Sequence, residues 1–369
     1  HGPVRGDTGG DRVQRLRHAL QKHELDGALI SNAQNRRYLS GFTGSAGYLL
    51  ITADDAVIAT DFRYYEQSAT QAPGFRLHKT VGGFDAWAPP LFAGLGGKKI
   101  AFEAADMTFA THQQLKKLLA ALPEPERPTL VPTPNLVESL RLFKEPCEIE
   151  ALQRAVDMGD AACTSVAERV EPGWTEKQVA WEIEKYIREH GGDGLSFDTI
   201  VAGGPWGAMP HAYPRDRKLE KGEGVVIDMG CDIDGYMSDL TRTIFLGKPD
   251  DQFKKIYDIV LTAQLTAEEM VKPGMTGDEC HMIAHSVIAA AGYGDTFGHG
   301  PGHGIGLQVH EAPRVARTSK DELRDTMVFT IEPGIYITGW GGVRIEDMVV
   351  LENGRAGVMS RAPTLQLAG

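Results

Sequence analysis

The chain has 369 residues, 42% hydrophobic and 24% charged, with a formal net charge of −12. That length holds two domains, each with its own core, and the acidic balance excludes nucleic acid and an anionic membrane as main partners, because both require a basic face. The four cysteines, Cys147, Cys163, Cys231 and Cys280, form no CxxC pair and no apolar run approaches a membrane span, so reduced thiols in a cytoplasmic protein are expected.

The stretch His1–Gly10 is glycine-rich, lacks an apolar segment and does not read as a signal peptide. Asp11–His23 has helical spacing, with Val13, Leu16 and Leu20 on one face. Strands are expected at Ala28–Ser31, Tyr48–Thr52 and Val57–Thr60, the last two joined by a turn at Ala53-Asp54-Asp55. A helix over Asp61–Thr70 follows, with Asp61 near its N-cap. Phe75–Thr80, Lys99–Phe102 and Thr108–Leu122 continue as strand, strand and helix. This alternation predicts an α/β domain over residues 11–140, closed by the proline-rich stretch from Pro123 to Pro134.

Residues 145–369 read as a second domain with an internal repeat. Glu171-Pro-Gly-Trp-Thr175 lies 101 residues before Lys272-Pro-Gly-Met-Thr276, and each follows a long helical segment, Glu148–Val170 and Gln252–Val271. Each precedes a helix that stops at glycine, Gly191-Gly192 or Gly292. Beyond the helices Val225-Val-Ile-Asp228 matches Phe329-Thr-Ile-Glu332, and Met237-Ser-Asp239 matches Arg344-Ile-Glu346. Each copy therefore donates two carboxylates from segments that read as strands, and facing sheets would gather all four at the shared interface.

Asp234-Gly235 signals a hairpin between Val225–Met229 and Met237–Phe245. A turn centred between Ile233 and Asp234 sets Asp228 opposite Asp239, whereas one centred on Asp234-Gly235 sets Asp228 opposite Thr241; either way the two carboxylates share a face. By itself the hairpin suits two solvated aspartates, but an Asp ending the apolar run Val225-Val-Ile needs a partner if buried. His299-Gly-Pro-Gly-His303-Gly-Ile-Gly306 places two histidines in a backbone that packs tightly, and His310-Glu311 follows. His303, flanked by glycines, reads as a ligand, and His299 reads as structural. Arg344 and Glu346 share one strand face, where Arg344 is a plain salt-bridge partner, orients an acid or binds substrate; Asp347 points the other way and reads as a surface acid. His211 reads as a loop histidine. The ligand candidates Asp228, Asp239, His303, Glu332 and Glu346 are oxygen-rich with one imidazole, which suits a pair of divalent cations such as Mn²⁺, Co²⁺ or Zn²⁺. Such a pair readies a water for attack on an amide, pointing to a metallohydrolase.

These motifs carry a resemblance. Ile227-Asp228-Met-Gly, Ser238-Asp239-Leu-Thr-Arg-Thr, Gly298-His-Gly-Pro-Gly-His303-Gly-Ile-Gly, Val309-His310-Glu, Thr330-Ile-Glu332-Pro-Gly and Val343-Arg344-Ile-Glu346-Asp347 resemble the peptidase family of aminopeptidase P, prolidase and methionine aminopeptidase. Asn35–Gly47 and Thr60–Tyr64 resemble the N-terminal domain of small bacterial Xaa-Pro peptidases. The one visible departure is Asp325, in Leu323-Arg-Asp-Thr-Met327, where such sequences carry a turn glycine.

The resemblance implies an α/β N-terminal domain of the creatinase/prolidase kind and an α+β "pita-bread" catalytic domain with a pseudo-two-fold repeat. It implies two divalent metal ions, Mn²⁺ first and Zn²⁺ or Co²⁺ next, on the five ligands, with Asp239 and Glu346 bridging and Glu332 also moving the proton. It places His211, His299 and His310 along the substrate site, with Arg344 beside them. The implied reaction is hydrolysis of the bond between an N-terminal residue and a following proline. The Phe42–Gly47 stretch favours an Xaa-Pro aminopeptidase. An Xaa-Pro dipeptidase is the alternative, and would need a cation such as Arg344 or His211 for the proline carboxylate. A metal-free binding module of the same fold comes last, since all five ligands are present. A homodimer is also expected.

Overall fold

The computed structural model describes residues 9–297 and 302–367. It divides into two compact units at Arg141/Leu142. The first carries helices α1 (Gly9–Lys22), α2 (Ala33–Ser40), α3 (Tyr65–Gln71), α4 (Phe84–Leu91), α5 (Phe109–Ala120) and α6 (Glu138–Arg141). Its strands are β1 (Gly27–Ile30), β2 (Tyr48–Thr52), β3 (Ala56–Thr60), β4 (Arg76–Lys79), β5 (Lys99–Phe102) and β6 (Thr129–Pro132), in one mixed sheet of order β4-β3-β2-β1-β5-β6. The β2–β3 hairpin is antiparallel, and the β1–β5 and β5–β6 pairs are parallel. Leu29, Leu50, Val57 and Ile100 from the sheet pack with Leu91, Leu115 and Leu119 of the helices; burying such a side chain is worth roughly 1.5–3 kcal/mol. Asn35, fully buried, donates to Glu103 at 2.5 Å and accepts from Arg141 at 2.8 Å.

In the second unit the helices are α7 (Pro146–Arg169), α8 (Glu176–Glu189), α9 (Asp251–Met270) and α10 (Gly277–Ala290). The strands are β7 (Gly194–Leu195), β8 (Ile200–Gly203), β9 (Gly224–Met229), β10 (Cys231–Ile233), β11 (Tyr236–Met237) and β12 (Leu240–Phe245), then β13 (His303–Gly304), β14 (Glu311–Arg314), β15 (Val328–Ile331), β16 (Gly334–Ile337), β17 (Gly341–Arg344), β18 (Asp347–Glu352) and β19 (Arg355–Val358). They form sheets ordered β12-β9-β8, β11-β10-β7, β14-β13-β15-β18-β19 and β16-β17.

The repeat is built the same way twice. Thr175 caps α8 by accepting from Gln178 N, and Thr276 caps α10 by accepting from Glu279 N, each satisfying a donor the helix leaves open. Gly173 N donates to Leu219 O at 2.8 Å and Gly274 N to Leu323 O at 2.7 Å. Thr175 bridges Lys218, and Thr276 bridges Glu322. Each copy has its own core: Val179, Ile183 and Ile187 lie with Val225 and Ile227 in the first, and Cys280, Ala284 and Ile288 lie with Phe329 and Ile331 in the second. The copies join where Thr241 bridges Glu346, and where Thr243 Oγ1 bonds Arg344 O and Arg344 N at 2.9 and 3.1 Å.

One point left open in the sequence is decided, and two expectations need correction. Asp234 and Gly235 have φ of 52° and 82°, the conformation of a tight hairpin turn. The turn is therefore centred on them, and Asp228 pairs with Thr241. The returning strand is broken, with Ser238 and Asp239 lying between β11 and β12. Of the four candidate carboxylates only Asp228 lies within a strand; Asp239, Glu332 and Glu346 sit at breaks between strands. Finally, the left-handed residue in the turn before β15 is Thr326, φ 71°, one place beyond Asp325. A β-branched residue there is strained by about 1–3 kcal/mol. Glycine at that site loses roughly 0.5–1 kcal/mol to chain entropy, so Thr326→Gly should stabilise the protein by about 1 kcal/mol. An unchanged or lower urea midpoint would contradict this.

Candidate metal centre

Four of the five candidate ligands, Asp228, His303, Glu332 and Glu346, are aimed by a neighbour nearby in the chain or on the opposite copy. Thr330 Oγ1 donates to Glu332 Oε2 at 2.8 Å, and Thr241 Oγ1 donates to Glu346 Oε1 at 2.7 Å. Arg344 Nη2 donates to Asp228 Oδ2 at 2.8 Å. The Nδ1 of His303 lies 2.9 Å from Gly304 O; a carbonyl only accepts, so Nδ1 carries a hydrogen, and Nε2 is the nitrogen that faces the carboxylates and would bind a cation on losing its proton. A Cβ at Gly304 would lie 2.0 Å from Ala312 O, so only glycine lets β14 approach this closely.

Ligand atoms of Asp239, His303, Glu332 and Glu346 all lie within 4.8 Å of one another. His303 Nε2 is 3.2 Å from Asp239 Oδ2 and 3.5 Å from Glu332 Oε2. Asp228 stands outside this group of four, close enough for the charge of Asp239 to act on it. Burial, then the charge of Asp239, lifts the Asp228 carboxyl well above the usual carboxylate range against the pull of Arg344. Burial and the charges of Asp239 and Glu332 do the same to Glu346. Burial pushes Glu332 up too, but hydrogen bonds from Glu346 and His303 outweigh it and bring the group to about 2. Burial depresses His303, yet its bonds to Asp239 and Glu332 win and raise it well above the ordinary histidine value.

These residues fit divalent cations. Among the described residues, Asp228 Oδ1, Asp239 Oδ1 and Glu346 Oε2 are buried with no hydrogen-bond partner, a costly arrangement that ligation relieves. Four carboxylates and one imidazole are a hard-oxygen donor set with a borderline nitrogen, and two divalent cations would balance the four negative charges.

The expected substrate-site residues are placed differently. His310 sits at the rim with its ring 4.2 Å from that of His303, centre to centre. Desolvation of its inner edge and the charge of His303 hold it below the ordinary histidine value, with His211 close enough to add to the effect. His211 is exposed, and His299 lies outside the described residues. Arg344 is 4% exposed and is committed to Asp228, to Tyr336 at 2.9 Å and to Thr241 at 3.3 Å. It orients a carboxylate, and each of its three nitrogens donates to a group inside the protein. Asp347, expected at the surface, is buried and accepts from Arg242 at 2.7 Å. Arg314, which the sequence reading did not single out, pairs in register with His303 across β13 and β14, is exposed, and donates from Nη2 to Arg317 O at 2.9 Å. The signal was its place on the strand that opens just after His310.

A ligand cluster of this composition, set at the seam of a duplicated α+β unit, defines a metallohydrolase. Residues 150–353 match the model of metallopeptidase family M24, and residues 12–143 match the creatinase/prolidase N-terminal domain. The Xaa-Pro dipeptidase of Pyrococcus horikoshii is 36% identical over 348 residues, 94% of this chain and 95% of that protein. The solved structure of an Xaa-Pro dipeptidase from Bacillus anthracis superposes with a TM-score of 0.92 at 39% identity, covering 97% of this chain and 99% of that one. The X-Pro aminopeptidase of Thermotoga maritima gives a TM-score of 0.87 at 32% identity, covering 95% and 98%. The chain belongs to metallopeptidase family M24, with a creatinase-type N-terminal domain before a pita-bread catalytic domain. No helix among the described residues is long and apolar enough to cross a membrane.

Proposed function

We propose that the protein is an Xaa-Pro dipeptidase that holds two divalent cations, Mn²⁺ before Zn²⁺ or Co²⁺, on Asp228, Asp239, His303, Glu332 and Glu346. The observation that carries the reading is the gathering of four of these ligands within 4.8 Å, with buried carboxylate oxygens that lack partners. Likeness to named dipeptidases over nearly the whole chain supports the dipeptidase over the aminopeptidase reading, which rested on the Phe42–Gly47 stretch. The aminopeptidase reading keeps support from likeness to the Thermotoga enzyme and to other proteins named as aminopeptidases.

When bound, the cations supply an acidified water and polarise the scissile carbonyl. Glu332 then takes the water's proton as general base and returns it to the proline nitrogen as general acid. That nitrogen carries no hydrogen in the substrate, so it leaves only once protonated. His310, neutral near pH 7 because its basicity is lowered, donates a hydrogen bond to the developing oxyanion. His211 flanks the proline, a role the resemblance also gives to His299.

A dipeptidase must also bind the free carboxylate of its substrate. Because Arg344 is committed inside, Arg314, opposite His303, is the better placed cation. Arg314→Ala should raise KM for an Xaa-Pro dipeptide at least about tenfold, the value of one charge-assisted hydrogen bond. It should change an Xaa-Pro-Xaa tripeptide far less. Wild-type preference for the tripeptide would return the aminopeptidase reading, and full activity after exhaustive chelation would sink both. The protein is also read as a cytoplasmic homodimer, which a monomeric mass in solution would contradict.

A further inference from the structure

Lys144 lies just ahead of α7, and its side chain is 1% exposed. Its Nζ donates to Glu311 Oε1 at 2.6 Å, and the Glu311 side chain is itself 7% exposed. Glu311 follows His310 directly, and its second oxygen, Oε2, accepts from Gln308 N at 3.3 Å. One carboxylate thus closes the turn 306–311 from inside, and one ammonium holds the carboxylate.

The surroundings are fitted to this pair. A Cβ at Gly306 would lie 2.5 Å from Glu311 Oε1 and 3.1 Å from Lys144 Cε, so glycine leaves the room the ion pair occupies. Gly306 O accepts from Met237 N at 2.9 Å, two residues before Asp239. Tyr236 OH donates to Glu148 Oε1 at 3.0 Å, and Glu148 Oε2 accepts from Glu145 N at 2.9 Å. Lys144 N in turn donates to Thr326 O at 3.1 Å. The start of α7 therefore fastens both the approach to Asp239 and the turn that carries His310. An ion pair out of water is strong only with such geometry, and losing one partner strands the other charge.

We infer that Lys144 is a positioning residue for His310, acting through Glu311; this rests on the proposed peptidase reading, in which His310 meets the substrate. Lys144 touches no reacting atom. It fixes where the imidazole stands relative to His303, 4.2 Å away between ring centres.

The test compares Lys144→Met with Lys144→Arg, each alone and with His310→Ala. Kinetics are read on an Xaa-Pro dipeptide and hydrogen exchange on the amides of 306–311. Lys144→Met should lower kcat roughly 10–100-fold, as loss of an outer support does, with KM nearly unchanged. Exchange across 306–311 should quicken while the rest of the domain keeps its protection. Lys144→Arg should restore much of kcat. With His310→Ala, adding Lys144→Met should cost less than about twofold more, because coupled residues do not add. Equal losses in both backgrounds, or unchanged exchange at 306–311, would overturn the inference. If Lys144→Met fails to fold, Lys144→Met/Glu311→Leu removes both charges and reads the same step; wild-type kcat in that variant would also overturn it. A wild type that cleaves no proline peptide would defeat the proposed function instead, and the exchange comparison would still decide whether the pair holds the turn.

Discussion

Glu332→Gln should lower kcat on an Xaa-Pro dipeptide by at least about 10³-fold, within the range of a lost general base. The substitution keeps the shape of the side chain, and Thr330 Oγ1, now 2.8 Å from Glu332 Oε2, can still donate to the amide oxygen. What it removes is the negative charge that pairs with His303 at 3.5 Å and the site that accepts and returns a proton. Because Glu332 is held to about 2 by Glu346 and His303 against its burial, it is ionised throughout the neutral range, as a base must be. The amide is also a poorer ligand, so metal content is measured alongside. A variant that retains a tenth of wild-type kcat at full metal loading would remove Glu332 from the proton transfer.

The helices were the most readable part of the chain. α7 to α10 announce themselves by apolar spacing, and α8 and α10 also by threonines three residues ahead of the donors they cap, Gln178 and Glu279. α4 was not legible because Pro89 and Pro90 stand inside it, where proline argues against helix. The Gly339-Trp-Gly-Gly342 stretch hid the β16–β17 hairpin between two ligands. The repeat made two carboxylates per copy visible, but not that three of them sit where strands break. Asp347 and Glu346 do meet different partners, Arg242 and Thr241, although Glu346 itself lies at a break between strands. The mistake lay in taking the face of Asp347 for solvent. It is covered, and Arg242 and Glu268 meet the carboxylate there. Alternation fixes the face of a residue, and only the packing of the far side decides whether that face is wet. His211 had no spacing to mark it, and only the resemblance drew attention to it.

That covered face gives the second large effect. Arg242, 5% exposed, uses every donor it has. Nη1 reaches Thr241 O and Glu346 O at 2.9 Å each. Nη2 reaches Asp347 Oδ1 at 2.7 Å and Ala362 O at 2.9 Å, and Nε reaches Ala362 O at 3.1 Å. The guanidinium therefore ties together the two copies and the C-terminal segment directly behind Glu346. Burial, with Asp347 beside it, lifts Glu268 to about 9, so Glu268 is neutral and the cluster balances one cation against one anion. Arg242→Leu leaves Asp347 charged and buried, and should cost about 3–5 kcal/mol of stability. Lysine has the charge without the planar fork and should recover only part of it. Arg242→Leu/Asp347→Leu removes both charges and should regain most of the loss, since an apolar pair of similar volume often matches a buried ion pair. Urea unfolding of the three variants measures this. A loss below about 1 kcal/mol for Arg242→Leu, the level of an exposed pair, would mean that the guanidinium does not hold the copies together.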